Sequence, residues 1–127
     1  AMLTIAPGVE LDVQRGPNWL LVRIDNLDAV RCESIPLADE IWELLQRHFI
    51  WRLVLDMGRS PALNRHLINE LLDLHRRITA KGGVMRICHV SPRDARVLTS
   101  LRLDDRLTPY SSWEEAVRGS GNVRKPR

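Results

Sequence analysis

Between Trp51 and Ile78 the spacing of apolar residues changes period. Leu53 to Leu55, bounded by Trp51 and Asp56, is a nearly continuous apolar run, the pattern of a strand covered on both faces. Downstream, Leu63, Leu67, Leu71, Leu74 and Ile78 recur in steps of four, four, three and four, and Ile68 and Leu72 widen the stripe. That spacing follows one face of an amphipathic helix. A strand feeding a helix in this way places the junction between them where open α/β sheets carry functional groups.

The rest of the chain extends the same alternation. Met2 to Gly8 is a short segment punctuated by Pro7-Gly8. Val9, Leu11 and Val13 alternate with Glu10, Asp12 and Gln14, predicting a half-buried strand over Val9–Arg15. Gly16-Pro17-Asn18 predicts a turn into a second strand, Trp19–Ile24, and so a hairpin. Asp25–Glu33 lacks a period and reads as a loop. Ser34–Phe49 predicts a helix, with Ser34 as cap, Pro36 in the first turn, and Leu37, Ile41, Leu44, Leu45 and Phe49 (with Trp42) on its apolar side. Lys81-Gly82-Gly83 stops the helix of the central stretch. Val84–Val90 predicts a strand. Ser91-Pro92 opens a helix with Ala95, Val97, Leu98 and Leu101 as its apolar positions. Leu107–Tyr110 predicts a last short strand, and Ser112 with Glu115 forms a capping-box pattern for a final helix, Trp113–Arg118.

The predicted order is β-β-α-β-α-β-α-β-α. Right-handed crossovers then build an α/β fold with a mostly parallel sheet of four to five strands and about four helices. Residues 1–8 are expected to form an N-terminal segment, residues 9–118 the domain, and residues 119–127 a basic, flexible tail. Ala1 before Met2 reads as a residue left by an expression tag.

Composition adds bounds. The chain has 127 residues, enough for one domain with a real core, and 44% hydrophobic and 28% charged residues are those of a globular protein. The net charge of +3 is partly carried by Arg124-Lys125-Pro126-Arg127, so nucleic acid is not an expected partner. No apolar run approaches the roughly 18 residues of a membrane span, and no secretory signal opens the chain. Cys32 and Cys88, far apart, read as buried thiols of a reducing, cytoplasmic environment.

Candidate chemistry is sparse. His66, His75 and His89 share no ligand spacing with one another, so no metal is expected. Gly58-Arg59-Ser60-Pro61-Ala62 lacks the second glycine of a nucleophile turn. No glycine-rich phosphate loop precedes a helix. The sequence shows no catalytic constellation and no cofactor site, and an enzyme is not expected.

Several pieces in order nevertheless resemble the STAS domain, the fold of bacterial anti-sigma factor antagonists. Leu53-Val54-Leu55-Asp56 resembles the family's central strand. Leu67-Ile68-Asn69-Glu70-Leu71-Leu72 resembles the start of its second helix, and Leu74-His75-Arg76-Arg77-Ile78 with Lys81-Gly82-Gly83 that helix's end and turn. Val84–Pro92, Val97-Leu98, Leu103–Leu107 and Trp113-Glu114-Glu115-Ala116-Val117 resemble the remaining elements. The resemblance spans Val9 to Val117.

It implies a regulatory protein–protein interaction domain in signal transduction and transcription regulation. Its partner would be an anti-sigma factor or kinase-like regulatory protein, and self-association stays open. The family's signature is Asp-Ser-Ser/Thr-Gly at the start of the second helix, where a kinase-fold anti-sigma factor phosphorylates a serine. A phosphate there adds nearly two negative charges to the docking surface. Here Asn64 stands at the Asp, Arg65 and His66 at the hydroxyl positions, and Leu67 at the Gly. Asn64 retains capping ability, but Arg65 and His66 cannot accept phosphate as serine does. Ser60 is a displaced alternative acceptor, although Ser60-Pro61 is equally the chemistry of a turn or cap. The resemblance implies partner contact through Met57, Gly58, Arg59, Ser60, Asn64, Arg65, His66 and Asn69. A small-ligand or nucleotide-sensing scaffold domain is the alternative reading.

Overall fold

In the computed structural model, which describes residues 1–119, one sheet carries six strands. They are β1 (Met2–Ala6), β2 (Val9–Arg15), β3 (Leu20–Asp25), β4 (Arg52–Asp56), β5 (Val84–Cys88) and β6 (Pro109–Tyr110), lying side by side in chain order. The helices are α1 (Ala29–Cys32), α2 (Leu37–His48), α3 (Arg65–Ala80), α4 (Pro92–Ser100) and α5 (Trp113–Arg118). The expected tail lies outside the described residues from position 120 onward.

The predicted hairpin is β2–β3, and the strands after it join in parallel, β3 to β4, β4 to β5 and β5 to β6. The sheet has one strand more than expected. β1 pairs antiparallel with β2, and Gly8 at φ +76° turns the chain between them. Pro7-Gly8 punctuates the sequence because it is this hairpin's turn. β1 is too short to show its own alternation, and only its pairing with β2 reveals it. The segment read as a loop also contains α1, a single turn whose cap is Asp28.

The period of two assigns residues to the two sheet faces. One face presents Leu11, Leu20, Val22, Leu53, Leu55 and Ile87 to α2 and α3, all essentially without solvent exposure. The other presents Trp19, Val54, Cys88 and Tyr110 to Ala116 of α5. Beside α5 this second face is polar. Asp12, Arg23 and Asp56 sit there on adjacent strands, by the register pairs Asp12–Arg23 and Arg23–Asp56.

Three helices end in the same way. At the close of α3, Gly82 is left-handed at φ +76° and Gly83 N–H donates to the Ile78 carbonyl at 2.9 Å. At the close of α4, Arg102 is left-handed at φ +57° and Leu103 N–H donates to Leu98 at 2.8 Å. At the close of α2, Phe49 is left-handed at φ +53° and Ile50 N–H donates to Leu45 at 3.2 Å. This is the Schellman arrangement, which satisfies orphan carbonyls and buries the residue after the left-handed one. Two sequence expectations fail for this reason. Phe49 and Leu101 fit the apolar stripes by spacing, yet the chain has left the helix at those points. Phe49 is 84% exposed while Ile50 is buried, and Leu101 is likewise exposed while Leu103 is buried.

Ser34 does not cap α2. Its hydroxyl donates to the Arg31 carbonyl, and Pro36 at the cap position has no side-chain acceptor to offer. The first turn is served from outside: Ala38 N–H donates to Glu70 Oε1 of α3 at 3.0 Å. The expected caps Asn64, Ser91 and Ser112 do accept from N–H groups of their own first turns.

Candidate functional site

The strand–helix junction after β4 is held at both ends. Asp56 closes the strand, and Met57 N–H still donates across the ladder to the Cys88 carbonyl at 2.9 Å. Gly58 N–H then donates to Asp56 Oδ1 at 2.8 Å, and Ser60 N–H to the Met57 carbonyl at 3.2 Å, giving a tight turn. Ser60-Pro61 is therefore part of a turn, and α3 begins only at Arg65. Between them Leu63 N–H donates to Asp94 Oδ1 at 3.2 Å. Asp94 is a buried carboxylate in the first turn of α4, also paired with Arg93 at 2.8 Å. The turn is thus tied to a second helix start, which stiffens it.

Asn64 has extended backbone, and its side-chain oxygen accepts from Leu67 N–H at 2.9 Å, capping α3. Leu67 is fully buried in the core. A glycine at that position would permit close backbone approach by another molecule; here a core side chain occupies it. Arg65 projects into solvent, and Gly58, Arg59 and Asn69 are exposed around it. Met57 lies in the core with 8% exposure, so only its backbone faces the turn. The Ser60 hydroxyl and His66 Nε2 are both buried, without a hydrogen-bond partner among the described residues.

Sequence spacing did not reveal the charges flanking this turn. Asp25, at the end of β3, is buried, and Arg23 holds it with two bonds, Nε at 2.8 Å and Nη2 at 3.1 Å. Those hydrogen bonds hold the Asp25 carboxyl below its ordinary range despite desolvation. Arg23 also reaches Asp12 at 3.2 Å, and Arg59 of the turn approaches Asp25 at 3.9 Å. The alternation of β3 sets Arg23 and Asp25 side by side on one face, and the antiparallel register of β2 brings Asp12 against Arg23. Beside them a cleft of about 280 Å³ runs from Asp12 and Gln14 past Arg23 and Asp56 to His89 and Trp113.

A second, more open groove of about 760 Å³ follows the outer side of α3, between His75, Arg76 and Arg106. Burial, with Arg106 nearby, pushes the His75 imidazole below its ordinary pKa. Among the described residues no helix is long and apolar enough to cross a membrane.

Against this geometry, the STAS domain family model matches residues 10–116. Solved structures agree in fold. A putative anti-sigma factor antagonist from Thermotoga maritima superposes with a TM-score of 0.72 at 12% identity, covering 86% of this chain and 92% of its own. A STAS domain protein from Planctomyces limnophilus superposes at 0.70 with 21% identity, covering 86% and 96%. The Bacillus cell fate determinant SpoIIAA in its phosphorylated form superposes at 0.61 with 14% identity, covering 87% and 99%. No curated protein sequence matches the chain significantly.

Proposed function

This chain belongs to the STAS domain family, and from that premise we propose that it is a regulatory protein–protein interaction module of the anti-sigma factor antagonist kind, working without a phosphoacceptor hydroxyl at the start of α3. The observation that carries this reading is the helix start itself. Asn64 caps it, the Asp94 and Asp56 bonds brace the turn before it, and Gly58, Arg59, Arg65 and Asn69 of the turn and first helical turns are exposed. A braced, solvent-facing surface suits docking, since little ordering is left for the partner to impose. Arg65 and His66 stand where the family carries hydroxyls, so docking would not be switched off by phosphate at that position. The partner on this reading is a kinase-fold anti-sigma factor or a related kinase-like regulator in the cytoplasm.

Arg65→Asp tests the surface. Arg65 opposes the positive end of the α3 dipole, so the reversal should leave stability unchanged or raise it by a few tenths of a kcal/mol. In affinity capture from the native cell, a kinase-fold regulator should be retained by the wild type and lost with Arg65→Asp, with calorimetry on the isolated pair confirming the weakening. Equal retention by both proteins would place the contact elsewhere. Incubation with that partner and Mg-ATP should leave the protein without added phosphate. Phosphopeptides carrying Ser60 would instead restore a displaced switch, and its buried hydroxyl would then require the turn to open.

The groove between His75, Arg76 and Arg106 favours a second reading, a sensor of small anionic ligands. Nucleotide titration followed by NMR would then shift the amides of α3 around His75 rather than those around Arg65.

A further inference from the structure

We propose that Asp56, Cys88 and His89 form a binding site for a divalent metal ion of the zinc class. β4 and β5 are parallel neighbours, and their register sets Asp56 directly beside Cys88 on one sheet face. His89 follows Cys88, so in continued extended chain it would point to the opposite face. It does not continue: at φ +56° it is left-handed, and the reversal returns its ring to the same side. Such a conformation costs a non-glycine residue about 1–2 kcal/mol. His89 Nδ1 thereby lies 3.1 Å from Asp56 Oδ1 and 3.8 Å from Cys88 Sγ. The three donor atoms all fall within 4.8 Å of one another.

Those separations suit one ion. Zinc bonds of about 2.0–2.3 Å in tetrahedral geometry place nitrogen and oxygen ligands about 3.4 Å apart, and sulfur and nitrogen ligands about 3.6 Å apart. The nitrogen–oxygen and sulfur–nitrogen separations are within a few tenths of an ångström of these values, and binding draws the sulfur and the carboxylate, within 4.8 Å of each other, toward the shared ion. His89 Nδ1 contacts both Asp56 Oδ1 and the Cys88 thiol, and the convergence of three different ligand types from two strands on one point is what points to a metal. Thiolate, imidazole and carboxylate together favour a borderline-soft ion over magnesium or calcium. Gly58 N–H, donating to Asp56 Oδ1 at 2.8 Å, orients the carboxylate from outside the ligand set. Asp56 and His89 also border the cleft of about 280 Å³, which leaves a fourth position open to water.

On binding, the Cys88 S–H bond breaks, an Sγ–metal bond forms, and the proton passes to buffer. His89 coordinates as the neutral ring through Nδ1, with its proton on Nε2. The sequence reading expected no metal because the histidines share no spacing, but the ligand set joins two strands and mixes residue types.

Cobalt(II) is the probe, titrated into the full, reduced chain. The expected result is one ion per chain, with the visible bands of tetrahedral cobalt, a near-ultraviolet thiolate-to-cobalt charge-transfer band, and displacement of both by zinc. His89→Gln and Asp56→Asn, at partly exposed positions, should each weaken the cobalt Kd by about tenfold or more with circular dichroism unchanged. Cys88→Ser should abolish the charge-transfer band and Cys32→Ser should leave it. Because Cys88 is fully buried, the decisive comparison is wild type against His89→Gln. Absence of the band from folded wild-type protein, or a band of equal affinity in His89→Gln, overturns the site.

Discussion

The Glu70 carboxylate of α3 accepts the Ala38 backbone N–H at 3.0 Å, so one helix caps the start of another. Pro36 sits at the cap position of α2 with no side-chain acceptor, and Asp39 of the first turn instead accepts from Arg77 Nη2 of α3 at 2.7 Å. The Glu70 bond therefore couples the docking of α2 against α3 to the integrity of its first turn. Glu70→Ala should cost about 1 kcal/mol, the usual worth of an N-terminal cap. Glu70→Gln, which keeps an acceptor oxygen, should cost less than half of that. Thermal denaturation distinguishes the two, with a fall of a few degrees for the alanine variant. Equal melting temperatures for all three proteins would show that water serves Ala38 as well.

Phe49 offers a gain. It is left-handed and 84% exposed, so its ring contributes little packing to offset its backbone conformation. Phe49→Gly keeps the Ile50–Leu45 bond and should raise stability by roughly 0.5–1 kcal/mol, the left-handed penalty less glycine's greater freedom when unfolded. Urea denaturation should show a higher midpoint with an unchanged slope. A lower midpoint would mean that the exposed ring stabilises the end of α2.

Arg86 fastens α5 to the sheet. Its Nη1 donates to the Ala116 carbonyl at 2.8 Å, and its guanidinium lies 5.4 Å from the Trp19 ring centroid and 5.7 Å from that of Tyr110. A cation at the carbonyl end of a helix also suits the helix dipole. Arg86→Ala should destabilise by about 2 kcal/mol, combining a charged hydrogen bond with partly desolvated cation–π contact. Arg86→Lys should recover only part of this, because an ammonium cannot bond and stack as the planar fork does. Native-state hydrogen exchange should show the amides of Ala116 and Gly119 losing protection ahead of the β4–β5 ladder. Uniform loss across the protein would assign Arg86 to the global core instead.

Carboxyls and one imidazole contribute to the pH profile in two separate windows; Asp73 and Asp28, like Asp25, are held below their ordinary value by arginine partners. The Asp25 carboxyl titrates below its ordinary value because Arg23 holds it charged. Its stabilisation is complete above about 3.9 and fades as pH falls through the lower folded value. His75 titrates below its ordinary value because it is partly buried. The unfolded chain therefore binds the proton first, and stability declines as pH falls through the window just below about 6.5. Melting temperatures should drop in both windows. His75→Gln should flatten the upper one, and Asp25→Asn should reduce the lower one, with Asp73 and Asp28 contributing the remainder. A profile in which His75→Gln leaves the upper slope intact would assign it to another titrating group.

Local pattern was enough to read the alternation of strands and helices, the β2–β3 hairpin, and the caps Asn64, Ser91 and Ser112. Each depends on residues within a few positions of one another, where period and hydrogen-bonding side chains act directly on the backbone. It also placed a strand–helix junction after β4, with Asn64, Arg65, His66 and Leu67 at the start of the helix. It missed whatever two distant segments settle together. β1 exists because β2 offers it a ladder. Phe49 and Leu101 fit an apolar stripe by spacing and leave it because a left-handed turn ends each helix before that face closes. Ala38 is capped across space by Glu70, and Asp12 meets Arg23 only through the register of β2 against β3.

The amino-acid sequence by itself therefore determined the order of elements from β2 to α5 apart from the single turn α1, the two faces of the sheet and the side chains available at the start of α3. Only the tertiary structure decided which of those residues face solvent, and which of Asp56, Cys88 and His89 share a point in space. Hydrophobic period specifies a face, but it carries no information about register between strands. Register, together with the backbone reversal at His89, determines which side chains become neighbours.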